Sequence, residues 1–156
     1  MTSEQVSTVN YSVVIPAYNE QGNIKPLLER IEKVMADVEG TYEIVIVDNG
    51  SFDGTPVILN ELVGKYPSLV IVTLSRNFGY DGAITTGLEY ARGSWVIIMD
   101  GDQQDPPEVI PQFIGKAKEG YDIVYGIRAK RTERWFLALQ MKIFYRIWKK
   151  IVNINV

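Results

Sequence analysis

The sequence contains no cysteine and no histidine. The first absence excludes a disulfide framework and thiolate chemistry. The second removes the commonest general base, every histidine-based triad and the usual zinc ligands. Any catalysis must rest on carboxylates, amides, hydroxyls, Arg or Lys. Long apolar runs are also missing. No stretch reaches about 18 apolar residues, so no membrane-spanning helix is expected. Residues 1–10 are polar and lack the apolar run of a signal peptide.

What is present reads as one globular domain. The chain has 156 residues, 46% of them apolar and 22% charged. That length buries a substantial core without staples. The net charge of −3 conceals an asymmetry. From Arg128 onward there are eight basic residues and one acid, Glu133, a net +7, against −10 for the rest. A basic tail on an acidic body suggests that the tail faces something anionic; a solvated helix face is the plainer alternative. The acidic body argues against nucleic-acid binding.

Apolar runs of strand length alternate with runs of helical period. Strands are expected at Ser12–Ile15, ending at Pro16, and at Glu43–Val47, Leu69–Leu74, Trp95–Met99 and Asp122–Tyr125. Helices are expected from about Asn23 to Val38 with Gly40 beyond, from Asp53 to about Tyr66, from Asp81 to Arg92, and from Pro106 to Gly120. A longer helix follows from about Thr132. This βαβαβαβαβ order implies an α/β fold, with a mostly parallel sheet covered by helices on both faces. The expected organisation is a polar tail at 1–10, a domain at 11–128 and a basic amphipathic helix at 129–156 that leads into a further C-terminal part.

Ligands of such sheets bind beyond the C-terminal strand ends. The loops there are Pro16-Ala17-Tyr18-Asn19-Glu20, Asp48-Asn49-Gly50-Ser51, Ser75-Arg76-Asn77-Phe78-Gly79, Asp100-Gly101-Asp102-Gln103-Gln104 and Gly126-Ile127-Arg128. The strongest local signal is Asp100-Gly101-Asp102. Residues i and i+2 of an extended segment point the same way, and Gly101 lets a ligand approach the backbone. Oxygen donors suit Mg2+ or Mn2+, which would bridge a diphosphate; Gln104 adds a neutral oxygen. A polar turn of solvated acids is the alternative. Asp48 and Asn49 suit ribose hydroxyls or base edges, or else an Asx turn. Tyr18 suits base stacking or partial burial in the core. Asn19 and Glu20 suit a helix cap. Arg76 and Arg128 suit phosphate contact or a plain surface position.

In order and spacing, Val14-Ile15-Pro16-Ala17-Tyr18-Asn19-Glu20, Val47 to Thr55 and Met99-Asp100-Gly101-Asp102 resemble the family 2 glycosyltransferases. Ser75 to Gly79, Asp100 to Glu108 and the basic stretch containing Phe144-Tyr145-Arg146 are similar to the polyprenyl-phosphate sugar synthases of that family, the dolichol-phosphate mannose synthase and bactoprenol glucosyltransferase type. The resemblance implies a GT-A (nucleotide-diphospho-sugar transferase) fold and metal-dependent hexosyl transfer. The donor would be a nucleotide sugar, UDP- or GDP-linked, and the acceptor a polyprenyl phosphate. It also implies that Pro16, Tyr18, Glu20 and Asp48 hold the nucleoside. Asp100 and Asp102, with Gln104, would hold the metal and the diphosphate, and Arg128 would meet phosphate charge. Two departures stand out: Asn49 replaces the second Asp of the usual pair, and Leu137 and Ala138 replace basic residues.

This chemistry agrees with the missing histidine. An alcohol acceptor needs a general base, whereas a phosphate is already anionic. Attack opposite the leaving group would invert the anomeric carbon. Phe136, Leu139, Ile143, Phe144, Ile147, Trp148 and Ile151 follow helical spacing among Arg134, Lys142, Arg146, Lys149 and Lys150. Such a helix fits an anionic membrane surface, the cytoplasmic face for the full-length enzyme, or packs on protein. Two other readings remain: a family 2 transferase with a carbohydrate hydroxyl acceptor, and a non-catalytic nucleotide-sugar-binding module. A homo-oligomer is left open. A dinucleotide-binding dehydrogenase is disfavoured, because no Gly-x-Gly-x-x-Gly follows the first strand.

Overall fold

A computed structural model describes residues 9–127. The expected polar tail (apart from its last two residues), the basic helix, Leu137, Ala138 and Arg128 lie outside the described residues. One compact unit extends to Asp122, and the chain from Ile123 belongs to a second.

The first unit contains four parallel strands: β1 (Tyr11–Ala17), β2 (Tyr42–Asp48), β3 (Leu69–Thr73) and β4 (Trp95–Ile98). Their order across the sheet is β3-β2-β1-β4. Four helices connect or follow them: α1 (Ile24–Met35), α2 (Thr55–Val63), α3 (Gly79–Tyr90) and α4 (Ile110–Lys118), the last preceded by a short 3-10 turn at Pro107–Val109. The chain steps from β1 to β2 to β3, then returns past β1 to form β4. The direction of travel therefore reverses between β1 and β4, the place where open α/β sheets bind ligands.

The period-2 alternation of β1 divides its side chains between two cores. Val13, Ile15 and Ala17 pack with Ile24, Leu27, Leu28, Ile31 and Met35 of α1, Leu59 and Leu62 of α2, and Ile110 and Ile114 of α4. Val14 packs on the other face with Val45, Val47, Val72 and Ala83 of α3. There α3 approaches closely: a Cβ at Gly87 would lie 2.3 Å from Val14 Cγ1. Ile24, Leu27, Leu28, Ile31 and Met35 of α1, spaced at the helical period, face the core, and Val34 packs at its edge.

β1 runs through Pro16, where the sequence suggested a stop. Asn49 N–H donates to Ala17 O, and Met99 N–H donates to Val14 O. Odd-numbered residues of β1 thus turn their backbone groups toward β2, and even-numbered ones toward β4. The nitrogen of Pro16 points to the β4 side, where pairing has already ended at Val14–Ile98. No ladder bond is lost, so proline is tolerated inside a central strand.

The fifth expected strand does not form: residues 122–125 carry no strand. Asp122-Ile123-Val124-Tyr125 has the composition of a strand. However, β-propensity measures fit to a paired, pleated surface, and among the described residues the sheet ends at β4.

At the N-terminal edge of the sheet, Glu43 is only 2% exposed. It accepts from Ser12 Oγ at 2.7 Å, from Arg92 N–H at 2.7 Å, and from Arg92 Nε and Nη2 at 2.9 and 2.6 Å. Burial pushes this carboxyl up. The bonds from Ser12 and Arg92 outweigh that and hold it below the usual carboxylate value. The pair fastens the end of α3 to β1 and β2, far from the opposite rim.

Candidate functional site

At the C-terminal rim of the sheet lies a cleft of about 400 Å³. It is lined by Pro16, Ala17, Tyr18 and Glu20 from the end of β1, and by Asn49 from the end of β2. Asn77 comes from the loop before α3, Gly79 and Tyr80 from its first two residues, and Asp100, Gly101 and Asp102 follow β4.

The β1–α1 and β2–α2 loops are laced together. Asn19 N–H donates to Ser51 Oγ (2.9 Å), and Phe52 N–H donates back to Asn19 Oδ1 (3.0 Å). Glu20 N–H donates to Thr55 Oγ1 (2.8 Å), and Gly54 N–H to Gln21 Oε1 (2.8 Å). Asn19 has a left-handed φ of 58°, which asparagine adopts more readily than most residues. Tyr18 meets Phe52 edge to face, with ring centroids 5.9 Å apart. Glu20 is also held from its side chain, accepting from Asn23 Nδ2 at 2.6 Å.

Asp48 is 1% exposed and accepts from Ser51 N–H, three residues on, at 2.9 Å, so its side chain braces the turn that follows β2. It lies beneath the cleft and does not line it. Asn49 uses both ends of its amide. Its Oδ1 accepts from Phe78 N–H (2.9 Å), while its Nδ2 donates to Gly79 O (3.0 Å) and Asn77 Oδ1 (3.2 Å). Asn77 Oδ1 also accepts from Gly79 N–H at 2.7 Å. The turn that launches α3 is thereby fastened to the end of β2. Gly50 (φ +72°) makes the approach feasible, since a Cβ there would lie 2.5 Å from the carbonyl carbon of Arg76. The Arg76 guanidinium rests 4.4 Å over the Phe78 ring, so it is engaged on its own loop.

Asp100 and Asp102 are both partly exposed at the cleft. Asp100 Oδ1 accepts from Tyr80 Oη–H at 2.7 Å, and Asp102 Oδ1 accepts from Gln104 N–H at 2.9 Å. Gly101 sits against β1: a Cβ there would be 3.0 Å from Pro16 O. Gln103 (φ 63°) donates from Nε2 to Asn23 Oδ1 at 3.0 Å, tying this loop to the start of α1. Burial, then the bond donated to Asp100, carry the Tyr80 phenol up to about 12.

Of the residues singled out from sequence, Pro16, Tyr18, Glu20, Asn49, Asp100, Gly101 and Asp102 meet in one cleft. Asp48 and Gln104 adjoin it, and Arg128 is outside the described residues. Sequence reasoning passed over Tyr80 and Gln103. Gln103 carried a weak signal, its place inside the acidic loop. Tyr80 carried none, because its partner is 20 residues away. Among the described residues no cluster of three or more acidic, His or Cys side chains forms a self-sufficient metal cage. Two carboxylates that would share an ion with a ligand's phosphates are the usual Mg2+ arrangement.

A parallel α/β sheet with a polar cleft at its switch point is the arrangement in which open α/β domains bind their ligands. The chain belongs to the glycosyl transferase family 2, whose profile matches residues 12–155. It is 42% identical to an uncharacterized glycosyltransferase of Synechocystis sp., over 96% of this chain and 47% of that protein. It is also 42% identical to the undecaprenyl-phosphate 4-deoxy-4-formamido-L-arabinose transferase of Proteus mirabilis, over 91% of this chain and 43% of that protein. Among solved structures, it resembles a mannosyltransferase of Pyrobaculum calidifontis in complex with GDP-Man and Mn2+. That match has a TM-score of 0.55 and 30% identity, covering 64% of this chain and 29% of the other. The fold is the GT-A fold of glycosyltransferases. The chain spans somewhat under half the length of the curated relatives it matches.

Proposed function

We propose that this chain is the donor-binding part of an inverting glycosyltransferase. It would move a sugar, a hexose in the simplest case, from a UDP- or GDP-linked donor to a polyprenyl phosphate. The observation that carries the donor site is the acidic cleft at the switch point. The similarity to undecaprenyl-phosphate sugar transferases supports the acceptor.

The cleft's donor set fits a divalent cation. Glu20, Asp100 and Asp102 line it, and among the described residues no Lys or Arg does. A diphosphate placed there would meet only negative charge unless a cation offset it. Asp100 and Asp102 would hold Mg2+ or Mn2+, with Gln104 beside them as a neutral oxygen donor. The ion supplies charge neutralisation for the departing nucleoside diphosphate. Tyr18 would stack on the base. Pro16 and Glu20 would shape the nucleoside pocket, and Asp48 would hold the turn beneath it. Arg128 would meet the remaining phosphate charge.

With a phosphate acceptor, one acceptor oxygen bonds to the anomeric carbon as the bond from that carbon to the diphosphate oxygen breaks. No proton has to move, so a site without histidine needs only alignment and charge stabilisation. Attack from the side opposite the diphosphate inverts the anomeric carbon. The basic stretch after Arg128 would bring the enzyme to an anionic membrane surface at the cytoplasmic face. No helix among the described residues is long and apolar enough to cross a membrane.

The test is product analysis with labelled UDP- and GDP-sugars, offering undecaprenyl phosphate in vesicles beside soluble oligosaccharides. We expect label in the lipid fraction with the anomer inverted, and none with Asp102→Ala. Label joined to a carbohydrate hydroxyl would overturn the acceptor assignment.

A further inference from the structure

We propose that Tyr80 is a positioning residue that sets the orientation of the Asp100 carboxylate for a divalent cation, an inference that rests on the donor-site reading above. Tyr80 is the second residue of α3, and its hydroxyl crosses the cleft to Asp100 Oδ1 at 2.7 Å. This bond joins the start of α3 to the loop that follows β4. Asp100 needs such support. Among the described residues β4 is a four-residue edge strand, and the last backbone bond they show holding it to β1 is Met99 N–H to Val14 O at 3.0 Å. Beyond it the carboxylate stands on a loop.

Tyr80 itself is well anchored. The turn immediately before it is fixed by Asn49, which bonds to Phe78 N–H and Gly79 O. A carboxylate accepts at both oxygens, so a phenol on Oδ1 leaves Oδ2 to face a cation. Hydrogen bonds donated to metal-ligating groups fix their orientation, and losing one typically costs about 10–100-fold in metal affinity. Packing alone does not account for the residue. Tyr80 is 53% exposed, so its ring adds little to the core, while its hydroxyl points into the cleft.

The experiment measures Mn2+ binding by electron paramagnetic resonance for the 156-residue chain with UDP or GDP present. It compares the parent with Tyr80→Phe and Asp100→Asn, with melting temperatures recorded beside them. We expect Tyr80→Phe to lose about 10–100-fold in Mn2+ affinity while its melting temperature stays near the parent's. Parent-like or tighter Mn2+ binding by Tyr80→Phe, with binding lost in Asp100→Asn, overturns the role of Tyr80 and leaves the donor site standing. Absence of nucleotide-dependent Mn2+ binding in the parent overturns the donor-site reading, and this inference with it.

Discussion

Asn49 stands where the family resemblance leads one to expect a second aspartate, and its surroundings explain the exchange. An aspartate could still accept from Phe78 N–H, but it could not donate to Gly79 O or Asn77 Oδ1. Asn49→Asp should therefore destabilise the chain by about 1–3 kcal/mol, because two acceptors lose their donor and a charge is buried. Urea unfolding measures this; an unchanged midpoint would show that the amide is not holding the turn. Gly50 has a different constraint. An alanine would need a left-handed backbone and would strike the backbone of Arg76, so Gly50→Ala should cost about 1–3 kcal/mol and weaken donor binding as well. Denaturation and titration with nucleotide read the two effects. At this scale the sequence was informative wherever chemistry is local. Asp100-Gly101-Asp102 is legible because strand geometry sets its directions. Tyr80 was not, since its orientation depends on the start of α3 and its partner comes from another strand.

Among the elements, α1 was the most legible, because its apolar period and its core face coincide. β1 extends three residues beyond the expected Ser12–Ile15, one at its start and two past the expected stop. Proline signals a stop only when its nitrogen faces a partner strand, and that parity follows from pairing with β2 and β4. Residues 122–125 were misread for the complementary reason: local composition cannot supply a neighbouring strand. The Ser12–Glu43–Arg92 cluster was invisible in sequence, since it joins three elements. It leads to a pH prediction. A carboxyl held below its ordinary 4.5 in the folded chain stabilises the fold above that value, and this contribution is lost as pH falls through the lowered value. Thermal unfolding followed from pH 7 to about 3 should show an acid-side loss of stability that is shallower in Glu43→Gln. That variant should already be about 1–3 kcal/mol less stable at neutral pH, because its buried bonds lose their charge. Parallel pH profiles for the two proteins would contradict the assignment.

For the molecule as a whole, the site follows from topology. Reversing direction between β1 and β4 opens the rim, and loops from four strand ends then deliver two tyrosines, an amide hub and three carboxylates to it. The alternation of apolar and periodic segments was enough to anticipate a parallel sheet and the loops that gather at its rim. The strand order, and with it the pairing of the β1 and β4 loops in one cleft, needed the three-dimensional structure. On the proposed function, this cleft binds a nucleotide sugar through a cation held by Asp100 and Asp102. Calorimetric titration of the chain with UDP-glucose and GDP-mannose, with and without Mn2+, tests it most directly beside Asp102→Ala. One donor should bind only with Mn2+, and Asp102→Ala should weaken this by about 100-fold or more, the loss expected when an ion worth several kcal/mol is removed. Donor binding that is equal with and without the metal, or unchanged in Asp102→Ala, would contradict it.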